Sequence, residues 1–501
     1  MKYPIGIQDF RSLREDGYVY VDKTARILRI LDSGKYFFLS RPRRFGKSLL
    51  LSTINELYSG DRSLFEGLHA ENNWNFEQRQ RPVLWIKFAM LPYQTEGVTQ
   101  ALVNELDRQA AESGITLLEI SLKGKFSELI RALGGEQRVV LLIDEYDKPI
   151  IDYLDDMPQA ERNRDKLKQF YSVLKDSDPY LELVFITGVS AFGKVSIFSD
   201  LNNLENITLS PFANDLVGIS QQELEHYFAD EIAQLDEQAI RDWYNGYRWH
   251  GTTSLYNPFS LLSYLKNRIF EVYWFATGTP TFLVKEMRKR KIYRLQHLIA
   301  TGLDLTNFNI ARLDPMVILF QTGYLTVKKY VAEDQAYELT YPNREVRRSL
   351  DKLLLEAYLH HPEDNLLARI LRMRNALRAG DFDTVVALLN ASLADLPAHL
   401  WPGQTEHFYH AIVHLTFSLL GTYIGSEVNS ARGRCDAIVE TDTAVYAIEF
   451  KRDRSAETAI EQIADKAYLA PYADGPKLRY AVGINFDSAT KRIEEWKVVA
   501  V

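Results

Sequence analysis

The chain has 501 residues, with 59 Lys plus Arg against 67 Asp plus Glu, a net charge of −8, and 46% hydrophobic and 25% charged residues. These are the proportions of an ordinary globular protein, long enough for about three domains, and no apolar run is long enough to span a bilayer. The single cysteine, Cys435, excludes an intramolecular disulfide and a multi-cysteine zinc site, and the mild acidity requires any nucleic-acid binding to come from local basic patches.

Met1-Lys2-Tyr3-Pro4 is not a basic region leading into an apolar core, so no signal peptide is expected and the expected location is cytoplasmic. Residues 17–31 carry Tyr18-Val19-Tyr20-Val21-Asp22-Lys23-Thr24 and then Ile27, Leu28 and Leu31 at helical spacing. Asp22 or Thr24 can cap that helix, which serves either as a lip against a nucleotide base or simply as packing on a sheet. Residues 36–39 read as a short buried strand and 49–57 as a helix; between them lies Ser40-Arg41-Pro42-Arg43-Arg44-Phe45-Gly46-Lys47-Ser48. Strand, tight loop ending Gly-Lys-Ser, and helix is the order a phosphate-binding loop needs. The free N–H groups and macrodipole of the helix start favour an anion. Gly46 lets the backbone approach it, Lys47 reaches the outer phosphates, Ser48 can bind Mg²⁺, and Arg43, Arg44 and Phe45 complete the loop. Arg41 stands where the usual pattern has its first Gly.

A second strand is predicted over 81–88, with helices over 97–113 and 117–133. Val139-Val140-Leu141-Leu142-Ile143 then reads as a central parallel strand with Asp144 and Glu145 at its C-terminal tip, where ligands sit in such sheets. Asp144 would hold the Mg²⁺ shell, and Glu145 would orient or deprotonate the attacking water. A helix over 158–175 and a strand over 181–186 follow, ending at Thr187, which is either a sensor of the γ-phosphate or a satisfied turn hydroxyl. Strands alternating with helices indicate a three-layer α/β sheet.

Arg41-Pro42-Arg43-Arg44-Phe45-Gly46-Lys47-Ser48, Tyr20-Val21-Asp22-Lys23-Thr24, Leu142-Ile143-Asp144-Glu145-Tyr146-Asp147 and Phe185-Ile186-Thr187-Gly188-Val189-Ser190 together resemble the bacterial AAA-ATPase-like family, up to about residue 212. The resemblance implies an additional-strand P-loop ATPase fold and commonly a fused PD-(D/E)XK nuclease-like domain. Arg in place of the loop's first Gly is common in that family.

Residues 221–265 turn helical, consistent with a small lid, and include Tyr244-Asn245-Gly246-Tyr247-Arg248-Trp249. Arg248 is either an arginine finger or, more simply, a surface arginine stacked on its aromatic neighbours. The basic run 285–294 either neutralises phosphates or is a solvated helix face. Residues 313–358 read helix, strand, strand, helix, which resembles a winged-helix module; Pro362-Glu363-Asp364-Asn365 marks a joint, and 366–393 is helical.

A helix over 405–420 carries Glu406, and the loop 426–429 follows. Gly433-Arg434-Cys435-Asp436 then leads into a strand, and residues 444–450 form the next strand, ending Ile448-Glu449-Phe450-Lys451. Such a hairpin brings an acid and a Glu-x-Lys together. Asp436 and Glu449 would share a Mg²⁺, which prefers few carboxylates and keeps waters, while Lys451 would orient or help deprotonate the hydrolytic water and stabilise developing charge. Glu406 could add a ligand or orient a water, and Gln462, on a helix over 457–468, could contact the metal-bound water or a phosphate; Arg452 and Arg454 could hold the scissile strand or form a solvated turn. Residues 404–496 resemble the PD-(D/E)XK nuclease superfamily, with Cys435 where its name has Pro. That resemblance makes Asp436 and Glu449 the metal ligands and Lys451 the catalytic lysine.

The expected architecture is therefore α/β and multidomain: a P-loop three-layer ATPase core (1–215), a helical lid (216–300), a winged-helix-like and helical connector (301–395) and a C-terminal α/β restriction-endonuclease-like domain (396–501). The expected activity is ATP binding and hydrolysis with Mg²⁺-dependent cleavage of nucleic acid, DNA first, governed by ATP. The alternative is a nucleotide-switched binding module with a silent nuclease fold. No membrane partner is expected, and a homo-oligomer of unspecified size is compatible with the class.

Overall fold

The computed structural model describes residues 1–191, 197–198, 200–250, 253–274, 281–290, 292–293, 295, 298–306, 314–359, 366–394, 406–424 and 435–501, without the side chains of 281–282, 406–410 and 422–424. The joint at 362–365, the loop at 426–429, Gly433, Arg434 and the Glu406 side chain lie outside that description. The chain divides into two compact units, one of Met1–Phe282 with Leu295–Glu345 and one of Leu283–Arg294 with Val346–Val501.

The first unit is organised on a five-stranded sheet of β1 (Tyr36–Ser40), β2 (Val83–Lys87), β3 (Val139–Asp144), β4 (Leu181–Gly188) and β5 (Glu205–Asn206), in the order β2-β3-β4-β1-β5. All neighbours pair parallel. β1 and β3 are buried along their whole length, as continuous apolar runs covered on both faces must be. β4 lies between the loop strand β1 and the acidic strand β3, which is the additional strand of the expected P-loop core. Register places Ser40 beside Gly188 and Lys87 beside Asp144, so the loop and the acids emerge at one edge.

The helix expected over 117–133 begins instead at Leu122. Ser121 caps it by accepting from the Gly124 N–H, and the Leu118 and Glu119 N–H groups donate to the Glu128 carboxylate, so 117–121 has its hydrogen bonds met without helix. The single helix expected over 158–175 is Met157–Tyr171 followed by a separate turn, Val173–Asp176.

The lid region holds the helices Gln221–Tyr227, Glu237–Tyr244 and Pro258–Asn267 around a small ladder of β6 (Ile219–Ser220) and β7 (Leu255–Tyr256). Beyond it, β8 (Leu298–Thr301), β9 (Thr326–Val331) and β10 (Ala336–Thr340) form an antiparallel sheet in the order β8-β10-β9. The helices Pro315–Thr322 and Arg344–Leu359 bracket the β9–β10 hairpin, which is the helix–hairpin–helix order read from the sequence with one strand added.

The second unit carries a four-stranded mixed sheet, β11 (Ala437–Glu440), β12 (Ala444–Arg452), β13 (Leu478–Asp487) and β14 (Arg492–Ala500), in sequential order. β11 and β12 form an antiparallel hairpin; β12 and β13 are parallel, with the helix Ala456–Asp465 between them in sequence. Among the described residues, no helix is long and apolar enough to cross a membrane.

Candidate active sites

The phosphate loop leaves β1 and turns sharply. Arg44 has φ 65° and Gly46 φ 94°, so two left-handed residues set the bend that starts the helix Lys47–Ser59. Arg44 carries a Cβ in that conformation, at a cost of about 1 kcal/mol or more. Two anchors hold the loop from inside. The Phe45 ring is fully buried and meets Tyr247 and Trp249 edge-on at centroid distances of 4.7 and 5.2 Å, which leaves its backbone for any phosphate contact. Arg41 is also fully buried; its guanidinium donates to the carbonyls of Ser40, Thr208 and Ala213 at 2.9 Å each and lies 4.1 Å over the Trp249 ring. Burial pulls its pKa down to about 9. Arg41, not Arg248, is thus the arginine stacked on these aromatics. Arg248 instead donates its backbone N–H to the Thr326 hydroxyl and reaches the Lys328 carbonyl.

A cavity of about 380 Å³ opens over the loop. Arg43, Arg44, Gly46, Lys47 and Ser48 line one side, Glu145, Asp147 and Lys148 another, and Gly6, Ile7, Gln8 and Phe259 the rim. The Lys47 ammonium donates to the carbonyls of Arg41 and Pro42 at 2.8 and 2.9 Å. Its burial pushes its pKa down, opposed by Glu145, Asp144 and Asp147. Asp144 and Thr187 stand outside that lining and bond to each other, the Thr187 hydroxyl donating to Asp144 Oδ1 at 2.7 Å. Glu145 faces the cavity with φ 54°, another left-handed residue.

Asp147, which the sequence offers only as the last residue of the motif Leu142-Ile143-Asp144-Glu145-Tyr146-Asp147, belongs to the site. It is 1% exposed, lines the cavity, and accepts the backbone N–H groups of Val189 and Ser190 at 3.1 and 2.6 Å. Burial raises its pKa to about 6 against those two donors and Lys47. An acid three positions past Asp144 was the available signal. The N-terminal rim carried no signal, because nothing in Gly6-Ile7-Gln8 distinguishes it from any loop. Of the segment 17–31, offered as a lip for a base, residues 19–21 and Ile27 line a separate apolar cavity of about 90 Å³ that also touches Phe45 and Gly46.

In the second unit, Asp436 precedes β11 and Glu449 lies on β12, one register step beyond the Ala437–Ile448 pair. The Phe450 N–H donates to Asp436 Oδ2 at 2.9 Å, and the Asp436 N–H reaches Glu449 Oε2 at 3.4 Å, which ties the two acids to one end of the hairpin. Lys451 Nζ donates to Glu449 Oε1 at 3.1 Å and to Gln462 Oε1 at 2.5 Å, and Gln462 Nε2 donates to the same Glu449 oxygen at 2.5 Å. Gln462 arrives on the helix Ala456–Asp465, whose Ala459 and Ile463 are buried. Glu449 is 3% exposed; burial first, then the nearby Asp436, raise its pKa, while Lys451 lowers it. Two neighbouring acids of which one is buried make a place that favours a cation. Among the described residues, no group of three or more His, Cys, Asp or Glu side chains gathers for a metal, so the hairpin offers two acids, enough for an ion that keeps its waters. Cys435 is buried, its Sγ near the carbonyls of Ala437 and Ile448, and burial lifts its pKa to about 12. It fills space and stays a thiol. Arg452 pairs with Asp453 at 3.4 Å, and the Arg454 N–H donates to Asn485.

A family model described as AAA-ATPase-like, a predicted AAA-ATPase, matches residues 4–198, and one for the PD-(D/E)XK nuclease superfamily matches residues 404–496. An uncharacterised protein in the vnfD 5′ region of Azotobacter chroococcum mcd 1 is 38% identical over 510 residues, covering 98% of each chain. The chain belongs to the AAA-ATPase-like family with a C-terminal PD-(D/E)XK nuclease domain. No solved structure matches it. Both regions of this AAA-ATPase-like chain contain the residues singled out by their motifs, and its relative carries no activity in its name.

Proposed function

We propose that this protein binds and hydrolyses ATP in the Lys47 cavity and cleaves nucleic-acid phosphodiesters, DNA first, at the Asp436–Glu449–Lys451–Gln462 cluster, with cleavage governed by ATP. The observation that carries the nuclease half is the Lys451 ammonium and the Gln462 amide meeting one oxygen of the buried Glu449 carboxylate, beside Asp436. A silent fold has no need to keep a lysine, a glutamine and two acids in mutual contact.

Asp436 and Glu449 would hold Mg²⁺, which when bound supplies a Lewis acid for the scissile phosphate and an acidified water. Lys451 holds a positive charge where the phosphate gains negative charge, and Gln462 fixes the Lys451 ammonium by accepting from it. In the first unit, Lys47 and the N–H groups of the loop would bind the phosphates, with Arg43 and Arg44 at the rim. Ser48 and Asp144 would hold the Mg²⁺ that accompanies ATP, Glu145 would orient the water, and Thr187 positions Asp144. The proposed division at 215, 300 and 395 gives each chemistry its own domain.

The test is Mg²⁺-dependent cleavage of single-stranded DNA, duplex DNA and RNA by the full chain, with and without ATP, alongside steady phosphate release. Cleavage that needs Mg²⁺, is lost in Asp436→Asn, and changes with ATP supports the reading. Cleavage unaffected by Asp436→Asn ends the site assignment, and cleavage indifferent to ATP ends the coupling.

A further inference from the structure

The phosphate loop is held from outside by residues well beyond the stretch matched to the ATPase family. Trp274, 5% exposed, donates its indole N–H to the Arg43 carbonyl at 3.1 Å. Pro42 lies against Gly323, the left-handed residue (φ 92°) that ends the helix Pro315–Thr322; a Cβ there would meet Pro42 at 2.7 Å and Trp274 at 3.4 Å. Gln321, on the last turn of that helix, accepts the Ala191 N–H at 3.1 Å and donates to the Leu305 carbonyl at 2.9 Å. Ala191 follows the β4 tip whose Val189 and Ser190 are held by Asp147. Trp274 is itself fixed: Glu345, fully buried, accepts the backbone N–H groups of Tyr273 and Trp274 at 2.7 Å each, and the Trp274 ring meets Tyr324 edge-on at 5.2 Å.

Two loop positions and one position beyond β4 are therefore each contacted by the region around the winged-helix-like sheet. That region supplies a hydrogen-bond donor, a gap without a side chain and a hydrogen-bond acceptor. A loop without its first glycine, holding a non-glycine residue at φ 65°, needs such external support to keep its shape.

We infer that Trp274 and Gln321 are positioning residues of the triphosphate site, closing the phosphate loop and the β4 tip from outside so that both are arranged before ATP arrives. The inference rests on the ATP reading above. Glu345, which clasps Trp274, belongs to the first turn of the helix Arg344–Leu359, and the chain passes into the second unit at the next residue, Val346.

The experiment measures Mg²⁺–ATP binding by thermal shift and isothermal calorimetry, and kcat and KM for phosphate release, on the full chain. The variants are Trp274→Phe, which keeps a ring and removes the donor, and Gln321→Met, which keeps the length and removes both the acceptor for Ala191 and the donor to Leu305. Losing one neutral hydrogen bond that shapes the loop raises the ATP Kd and KM about three- to tenfold. The kcat at saturating ATP stays near wild type, a KM-against-kcat split that a merely structural role would not produce, while the melting temperature without nucleotide falls by about the few degrees that an orphaned buried partner costs. If Trp274→Phe fails to fold, Gln321→Met decides by the same criterion. Unchanged Kd and KM in the folded variants overturn the inference while leaving the ATP reading intact, provided Lys47→Ala abolishes binding. Absence of any ATP binding by wild type overturns both.

Discussion

In the second unit, the four groups assigned to chemistry fall within residues 436–462 and touch one another directly, so the cluster is its own scaffold. In the first unit, the loop residues that would meet a phosphate are contiguous, but what holds them comes from afar: Arg41 reaches Thr208 and Ala213, Phe45 rests on Tyr247 and Trp249, and Arg43 is held by Trp274. A cluster that is self-supporting fails when one member is lost. A loop that is supported externally can be weakened from many places without touching a phosphate contact.

The largest effects should separate the two sites. Lys451→Ala removes the charge proposed to face the scissile phosphate and is expected to cut cleavage by about a thousandfold, in the range of losing a main electrostatic group. It should leave phosphate release from ATP unchanged. Lys47→Ala should abolish ATP binding and leave the folded second unit and its Mg²⁺ affinity intact. Each variant is scored in both assays. Loss of ATP hydrolysis in Lys451→Ala would show that the role of Lys451 is not confined to the cleavage site.

The next effect concerns Arg41 and is one of stability. Arg41→Gly would restore the usual first glycine of the loop. It would also take the guanidinium away from the buried carbonyls of Ser40, Thr208 and Ala213, of which the last keeps the Leu216 N–H, and open a cavity over Trp249. Orphaned buried acceptors cost about 1–3 kcal/mol each, so the expected loss is on the order of 3–5 kcal/mol despite the closer match to the general motif. Thermal melting checks it; a variant as stable as wild type would show that the guanidinium is not what holds the loop to residues 208 and 213.

Arg41 also marks where the sequence stopped being readable. The strands β1, β3 and β4 were legible because buried parallel strands are unbroken apolar runs, and the hairpin with its Glu-x-Lys was legible because its partners are close in sequence. The loop residues could be named from the motif, since the spacing itself is the signal. The contacts of Arg41, Trp274 and Gln321 were not legible: each joins residues more than a hundred positions apart, and no local pattern encodes such pairs. Asp147 lies between these cases. Its position beside the acidic strand was visible, but its burial against the Val189 and Ser190 N–H groups depends on β4 lying next to β3. The late start of the helix at Leu122 was missed because Leu117-Leu118-Glu119-Ile120 suits a helix, while the Ser121 cap and the Glu128 carboxylate satisfy the backbone another way.

The smallest effect, and the one that tests the external support of the loop without disturbing a hydrogen bond, is in the pH dependence. Burial raises the Glu345 pKa from 4.5 to about 7, with the N–H groups of Trp274 and Tyr273 and the Ser260 side chain opposing the rise. The folded state therefore holds this proton more tightly than the unfolded chain. Glu345 contributes stability that is fully present below about pH 4.5 and is lost as pH rises through about 7. The span corresponds to an effect on the order of 3 kcal/mol. Glu345→Gln keeps an oxygen for the Tyr273 and Trp274 N–H groups but cannot ionise. Its melting temperature should fall less than that of wild type between pH 5 and pH 7.5, leaving the smaller decline near pH 6 that Asp147 produces with the same sign. Parallel curves for the two proteins would show that Glu345 stays charged in the fold, and that the Trp274 clasp is held by a carboxylate at every pH.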